Sequence, residues 1–104
     1  MTKVKFFLDG ESIKGFSVKG HSTKNSADQN GKLVCSAVSS AAYMAANTIL
    51  EVIGENAQVE VNDALMELMV ENPSEDTKIV LKGFKLHIEQ LAEQYSNNIK
   101  ISEV

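Results

Sequence analysis

One cysteine and two histidines carry the nucleophilic and acid–base chemistry available to this 104-residue chain. Cys35 falls in the first turn of a predicted helix, where unpaired amide groups carry partial positive charge. That charge stabilises a thiolate, the form in which cysteine attacks, and the same amides suit a developing oxyanion. Lys32 stands one turn away and adds positive potential. His21 ends the second predicted strand, directly after Gly20, and opens the polar run HSTKNSADQNG that leads toward Cys35. A strand end and a helix start joined by one loop commonly lie close together. His21 is therefore the candidate base that takes the thiol proton and later protonates a leaving amine. The competing reading is a buried structural cysteine, since Cys is among the most buried residue types, with His21 a solvated loop residue.

Two further side chains bear on the same chemistry. Asp28, inside the polar run, is a candidate third member that orients His21, or else a solvated carboxylate. Ser39 lies one turn after Cys35 on the same helical face, either contributing a hydroxyl or allowing close packing. His87 shares a helical stripe with Phe84 and Leu91 and reads as a residue at the core's edge, with no chemistry assigned. No metal and no cofactor are expected. One Cys and two His on separate elements do not build a zinc site, and neither a phosphate loop nor a dinucleotide fingerprint occurs.

The elements that must position these groups follow from periodicity. Val4, Phe6 and Leu8 alternate as a strand, Asp9-Gly10 signals a hairpin turn, and Ile13, Phe16 and Val18 give a second strand to about Gly20. The polar loop covers residues 21–31 and is long enough to suggest function or mobility. A helix is predicted over residues 32–53, with Val34, Val38, Ala41, Ala42, Ala45, Ile49 and Ile53 on one face and Gly54 as its stop. Its centre, SAVSSAAYMAAN, is rich in small residues that permit close approach of a neighbour. Residues 58–61 and 65–70 read as a second hairpin about Asn62-Asp63. After Pro73, Ser74 starts a second helix that runs to about Tyr95, with Val80, Phe84, Ile88, Leu91 and Tyr95 on one face. Ile99, Ile101 and Val104 supply a last short strand. The order ββαββαβ predicts an α+β two-layer sandwich, a mixed or antiparallel sheet with two helices packed on it.

Composition bounds the partners. The length fits one domain, residues 1–104, with a modest core that favours oligomerisation. A single Cys cannot form an intramolecular disulfide and suits a reducing cytoplasm. The most apolar run, residues 33–53, is interrupted by Ser36, Ser39, Ser40, Asn47 and Glu51, which argues against a membrane span. A net charge of -4 and the absence of arginine argue against direct nucleic-acid binding, although net charge says nothing about distribution.

The pair Gly20-His21 followed by Leu33-Val34-Cys35-Ser36-Ala37-Val38-Ser39 resembles the ribosomal-processing cysteine protease family of bacteria, called Prp. Members combine a hairpin, a GH pair, a variable loop and a C-[AS]-[AS]-V-S helix start, and the likeness extends over nearly the whole chain. The resemblance implies a Cys-His protease with Cys35 and His21 in the matching positions, and a homodimer. The implied substrate is the N-terminal extension of large-subunit ribosomal protein number twenty-seven, cut after an aromatic or bulky apolar residue in a basic-flanked motif. An acidic enzyme suits a basic ribosomal substrate. Two departures stand out: Lys32 occupies a position where many members carry Asp, and the loop is longer than in many members. The rival from another class is a noncatalytic dimeric assembly factor that binds a ribosomal protein without cutting it.

Overall fold

The computed structural model describes residues 1–20, 29–63 and 65–104. Its elements follow in the order β1 (Thr2–Asp9), β2 (Ser12–Lys19), α1 (Gln29–Asn47), a π-helical turn (Thr48–Ile53), β3 (Gln58–Val61), β4 (Leu65–Met69), α2 (Glu75–Gln94) and β5 (Ile99–Glu103). This is the expected ββαββαβ order. The five strands form one mixed sheet in the order β3-β4-β2-β1-β5. All neighbouring strands are antiparallel except β1 and β5, which run parallel.

Alternation decides which face the helices cover. Val4 and Phe6 of β1 sit opposite Val18 and Phe16 of β2, which in turn oppose Met66 and Leu68 of β4. All six are buried, and they form one core with Val34, Val38, Ala42, Ala45 and Ile49 of the long helix and Leu81, Phe84 and Ile88 of α2. Both helices therefore lie on one face of the sheet, and the other face is left open. Phe84 ties the layers together, its ring centroid 4.5 Å from that of Phe16 and 5.8 Å from that of Phe6. Such aromatic pairs stabilise beyond the area they bury.

A bulge keeps the alternation in phase. Phe7 pairs with Gly15 and Leu8 with Ile13, so Lys14 is an extra residue in β2. Ile13 and Phe16 both reach the core because of it. Gly15 sits where β4 packs tightly on β2, since a Cβ there would collide with the carbonyl oxygen of Leu68.

The long helix differs from expectation at its start and near its end. It begins at Gln29, three residues before Lys32, with Gln29 and Asn30 exposed. Its last six residues form a π-helical turn, which Gly54 ends at φ 80° while its N–H donates to the Ile49 carbonyl. By length and composition Gln29–Ile53 is apolar enough to cross a membrane, with a mean hydropathy of 1.4. A core helix meets the same criteria, and here Val34, Val38, Ala42, Ala45 and Ile49 are buried within the domain. Ser74 caps α2 as expected, its hydroxyl accepting the Thr77 N–H at 3.2 Å.

Candidate active site

Val34 and Val38 are fully buried, which fixes the rotation of α1 about its axis. Cys35 and Ser39, one residue further round in each case, are thereby left half-buried at the flank of the helix. Cys35 is a free thiol. It lies in the second turn of α1 rather than the first, because the helix starts at Gln29.

That shift weakens one part of the sequence argument. The amides without an intrahelical acceptor belong to the first four helical residues, and the charge effect falls off within the first turn. The Cys35 side chain leans back toward that turn, as helical side chains do, but the helix end is a lesser activator here than at a first-turn position. Lys32 is exposed in the intervening turn.

Cys35 and Ser39 open onto a cavity of about 160 Å³. Val18 of β2 and Met66 of β4 contribute apolar walls, Tyr43 of α1 stands beside them, and Asn62 and Asp63 of the β3–β4 turn complete the rim. Gly20, the residue immediately before His21, lines the same cavity. Three larger cavities lie elsewhere and do not include the thiol: one of about 680 Å³ beside Lys14, Glu55 and Glu71, another of about 680 Å³ between α1 and α2, and one of about 210 Å³ along β3 and β4.

The structure thus brings Cys35, Ser39 and Gly20 together. His21 and Asp28 lie outside the described residues. His87 is exposed on α2 and borders the groove between the helices, not the thiol cavity, so it is a surface residue rather than one packed at the core's edge. Sequence reasoning treated Asn62-Asp63 only as a turn. The signal that places it at the site is tertiary: β4 pairs with β2, with Leu65 opposite Lys19, which brings the turn beside Gly20. Among the described residues there is no group of three or more His, Cys, Asp or Glu able to hold a metal ion.

A nucleophile candidate at the flank of a helix, facing a strand end through a small cavity, matches more than a generic sandwich. The family model for cysteine protease Prp aligns with residues 1–100. This chain belongs to the cysteine protease Prp family. The Prp family match spans both the GH pair and the segment around Cys35. The fold is similar to that of the ribosomal processing protease Prp from S. aureus in complex with a substrate peptide, at a TM-score of 0.89 and 16% identity, covering 100% of both chains. The S. aureus protease in complex with a covalently linked product peptide gives a TM-score of 0.86 at 17% identity, again over 100% of both chains. SMU.848 from Streptococcus mutans gives 0.86 at 17% identity, over 100% of this chain and 97% of the other. These three likenesses are likenesses of fold. No curated protein sequence matches the chain.

Proposed function

We propose that this Prp-family protein is a cytoplasmic cysteine endopeptidase that removes the N-terminal extension of large-subunit ribosomal protein number twenty-seven during ribosome maturation. The observation that carries the reading is the shared cavity: Cys35 and Gly20, the residue before His21, line one small space. Cys35 is the nucleophile and His21 its base. Ser39 and Asp28 are the supporting candidates, Ser39 beside the thiol and Asp28 as an orienting carboxylate.

The chemistry runs in two halves. His21 takes the Cys35 thiol proton, the sulfur adds to the scissile carbonyl carbon, and the tetrahedral oxyanion is held by backbone amides. Collapse breaks the C–N bond, His21 gives the proton to the leaving amine, and a thioester remains on Cys35. Water, deprotonated by His21, then adds to the thioester carbonyl. Collapse of that second intermediate expels the sulfur, releases the carboxylic acid and restores the thiol. Val18, Tyr43 and Met66 offer apolar surface to a bulky residue on the acyl side of the cut. The net charge of -4 favours approach of a basic ribosomal protein.

The working unit is a homodimer, and its candidate face is the apolar groove between α1 and α2. Ala37, Ala41, Met44, Val80 and Gly83 line it, and Met44 is 64% exposed although strongly apolar. Small residues there let another helix approach closely.

The test incubates the protein and its Cys35→Ala form with the extended ribosomal protein and reads product masses. Cleavage at one site by the parent alone is the expected result. Stable binding without cleavage by either form would replace the protease with a noncatalytic assembly factor.

A further inference from the structure

The open face of the sheet is divided by charge. Lys3 of β1 pairs with Lys19 of β2 on one side and with Lys100 of β5 on the other, so three lysines stand side by side across three strands. Lys5 follows in the next row, flanked by Ser17 and Ser102. The pleat turns these side chains away from the helices, because Val4 between them is buried in the core. All four lysines are exposed, and among the described residues none of them joins an ion pair. Of the face's acidic residues, Glu67 of β4 and Glu60 of β3 pair with each other beyond Ser17 in the Lys5 row, and Asp9 ends β1 two rows past Lys5. One row further along β1, Phe7 is half-buried on the open face opposite Gly15, which has no side chain to cover its ring.

Like charges placed directly opposite in a sheet are destabilising. A chain with ten lysines and a net charge of -4 nevertheless gathers four of them here. An anionic partner that bridged the row would relieve that cost.

We propose that this face binds single-stranded nucleic acid, with Lys3, Lys5, Lys19 and Lys100 contacting phosphates and Phe7 offering a platform on which a base stacks. Strand spacing puts the three-lysine row across about 10 Å, with Lys5 about 7 Å further along. That is a narrow band suited to a linear polyanion. An anionic membrane is flat and would also press on Glu60 and Glu67. An acidic peptide supplies charge but uses no aromatic platform, whereas a phosphate strand with bases uses both features. The row lies at the Lys19–Gly20 end of the sheet, on the face opposite the Cys35 cavity, so a bound strand leaves that cavity open. Composition alone argued against nucleic-acid binding; the segregation of charge on this face argues for it.

The experiment measures fluorescence anisotropy of a labelled oligouridine of about twelve nucleotides against the full chain, over a salt series. Four lysine–phosphate contacts predict a log–log salt slope of about -2.8. Replacing Lys3 and Lys100 together by Ser is expected to lower affinity at least tenfold and make the slope shallower by about 1.4. Lys82→Ser, on exposed α2 surface, is expected to change neither. Replacing both Lys3 and Lys100 by Arg retains charge and is expected to keep binding, which separates lost contacts from lost fold. Phe7→Leu is expected to weaken binding about tenfold, as loss of one stacked base does. Equal binding by the double Ser variant, or no binding by the parent at low salt, overturns the proposal. So does binding to phosphatidylserine vesicles or polyglutamate in place of the oligonucleotide.

Discussion

Cys35 and Ser39 stand one turn apart on α1 and open onto the same cavity of about 160 Å³. The space beside the thiol is small enough that a single side chain can close it. Ser39→Leu is expected to abolish peptide cleavage and to slow alkylation of Cys35 at least tenfold. The melting temperature should move little, because Ser39 is half-buried at the flank and not in the core. Iodoacetamide labelling followed by mass spectrometry reads the thiol, and a product-mass assay reads cleavage. Unchanged labelling would mean that the thiol is reached from another side.

Much of the fold that positions this site was legible in residue order, and the missing parts are physical in kind. The β1–β2 hairpin, the Gly54 stop and the Ser74 cap are local features, set by alternation, a left-handed φ and one side-chain hydrogen bond. Helical periodicity likewise gave the buried face of α1. The start of α1 was not legible, because Gln29 and Asn30 are exposed and polar and carry no apolar signal, yet the helix runs back through buried Gly31 and over both of them. That difference moved Cys35 from the first turn to the second. Asn62 and Asp63 joined the cavity only through the pairing of β4 with β2, which is not a local property. The lysine row required the register of three strands, and no composition count contains a register.

Gly83 sits in the middle of α2 with nothing within 4 Å of where a Cβ would be, on the wall of the apolar groove. Among the described residues there is no steric reason for it, and glycine costs about 1 kcal/mol relative to alanine in a helix interior. In the proposed homodimer, close approach of a second copy would supply the reason. Gly83→Ala is expected to raise the folding stability of the separated subunit by about 1 kcal/mol while weakening self-association. Urea unfolding at low protein concentration and light scattering at high concentration read the two effects. An unchanged dissociation constant would move the dimer face away from this groove.

Thr2 lies on the core face of β1, fully buried opposite Ile99, and its Oγ1 has no hydrogen-bond partner among the described residues. A buried hydroxyl without a partner carries a desolvation penalty of about 1–3 kcal/mol. Valine replaces that hydroxyl with a methyl group of similar shape. Thr2→Val is therefore expected to stabilise by about 1 kcal/mol, raising the melting temperature by roughly 4–8 °C in a domain of this size. Differential scanning calorimetry measures it, and a fall in melting temperature would show that the hydroxyl has a partner after all.

Glu55 reaches across from the end of the long helix to the start of α2, its Oε1 accepting the Ser74 backbone N–H at 2.6 Å. This bond, supported by the Thr77 and Ser74 side chains and opposed by partial burial, holds the Glu55 carboxyl below its ordinary value of 4.5. A carboxyl depressed in the folded state binds its proton more tightly when unfolded. Its contribution to stability is therefore fully present above the unfolded value and is lost as pH falls through the folded one. Glu55→Gln removes the titration while keeping an acceptor oxygen. The stability difference between parent and Glu55→Gln should be greatest near neutral pH, shrink on acidification below about pH 4.5, and level off once the parent's carboxyl is protonated. Urea unfolding of both proteins across that range gives the difference directly and cancels the other carboxylates that titrate alongside. A difference that stays constant with pH would mean that the Ser74 amide gains nothing from the charge on Glu55.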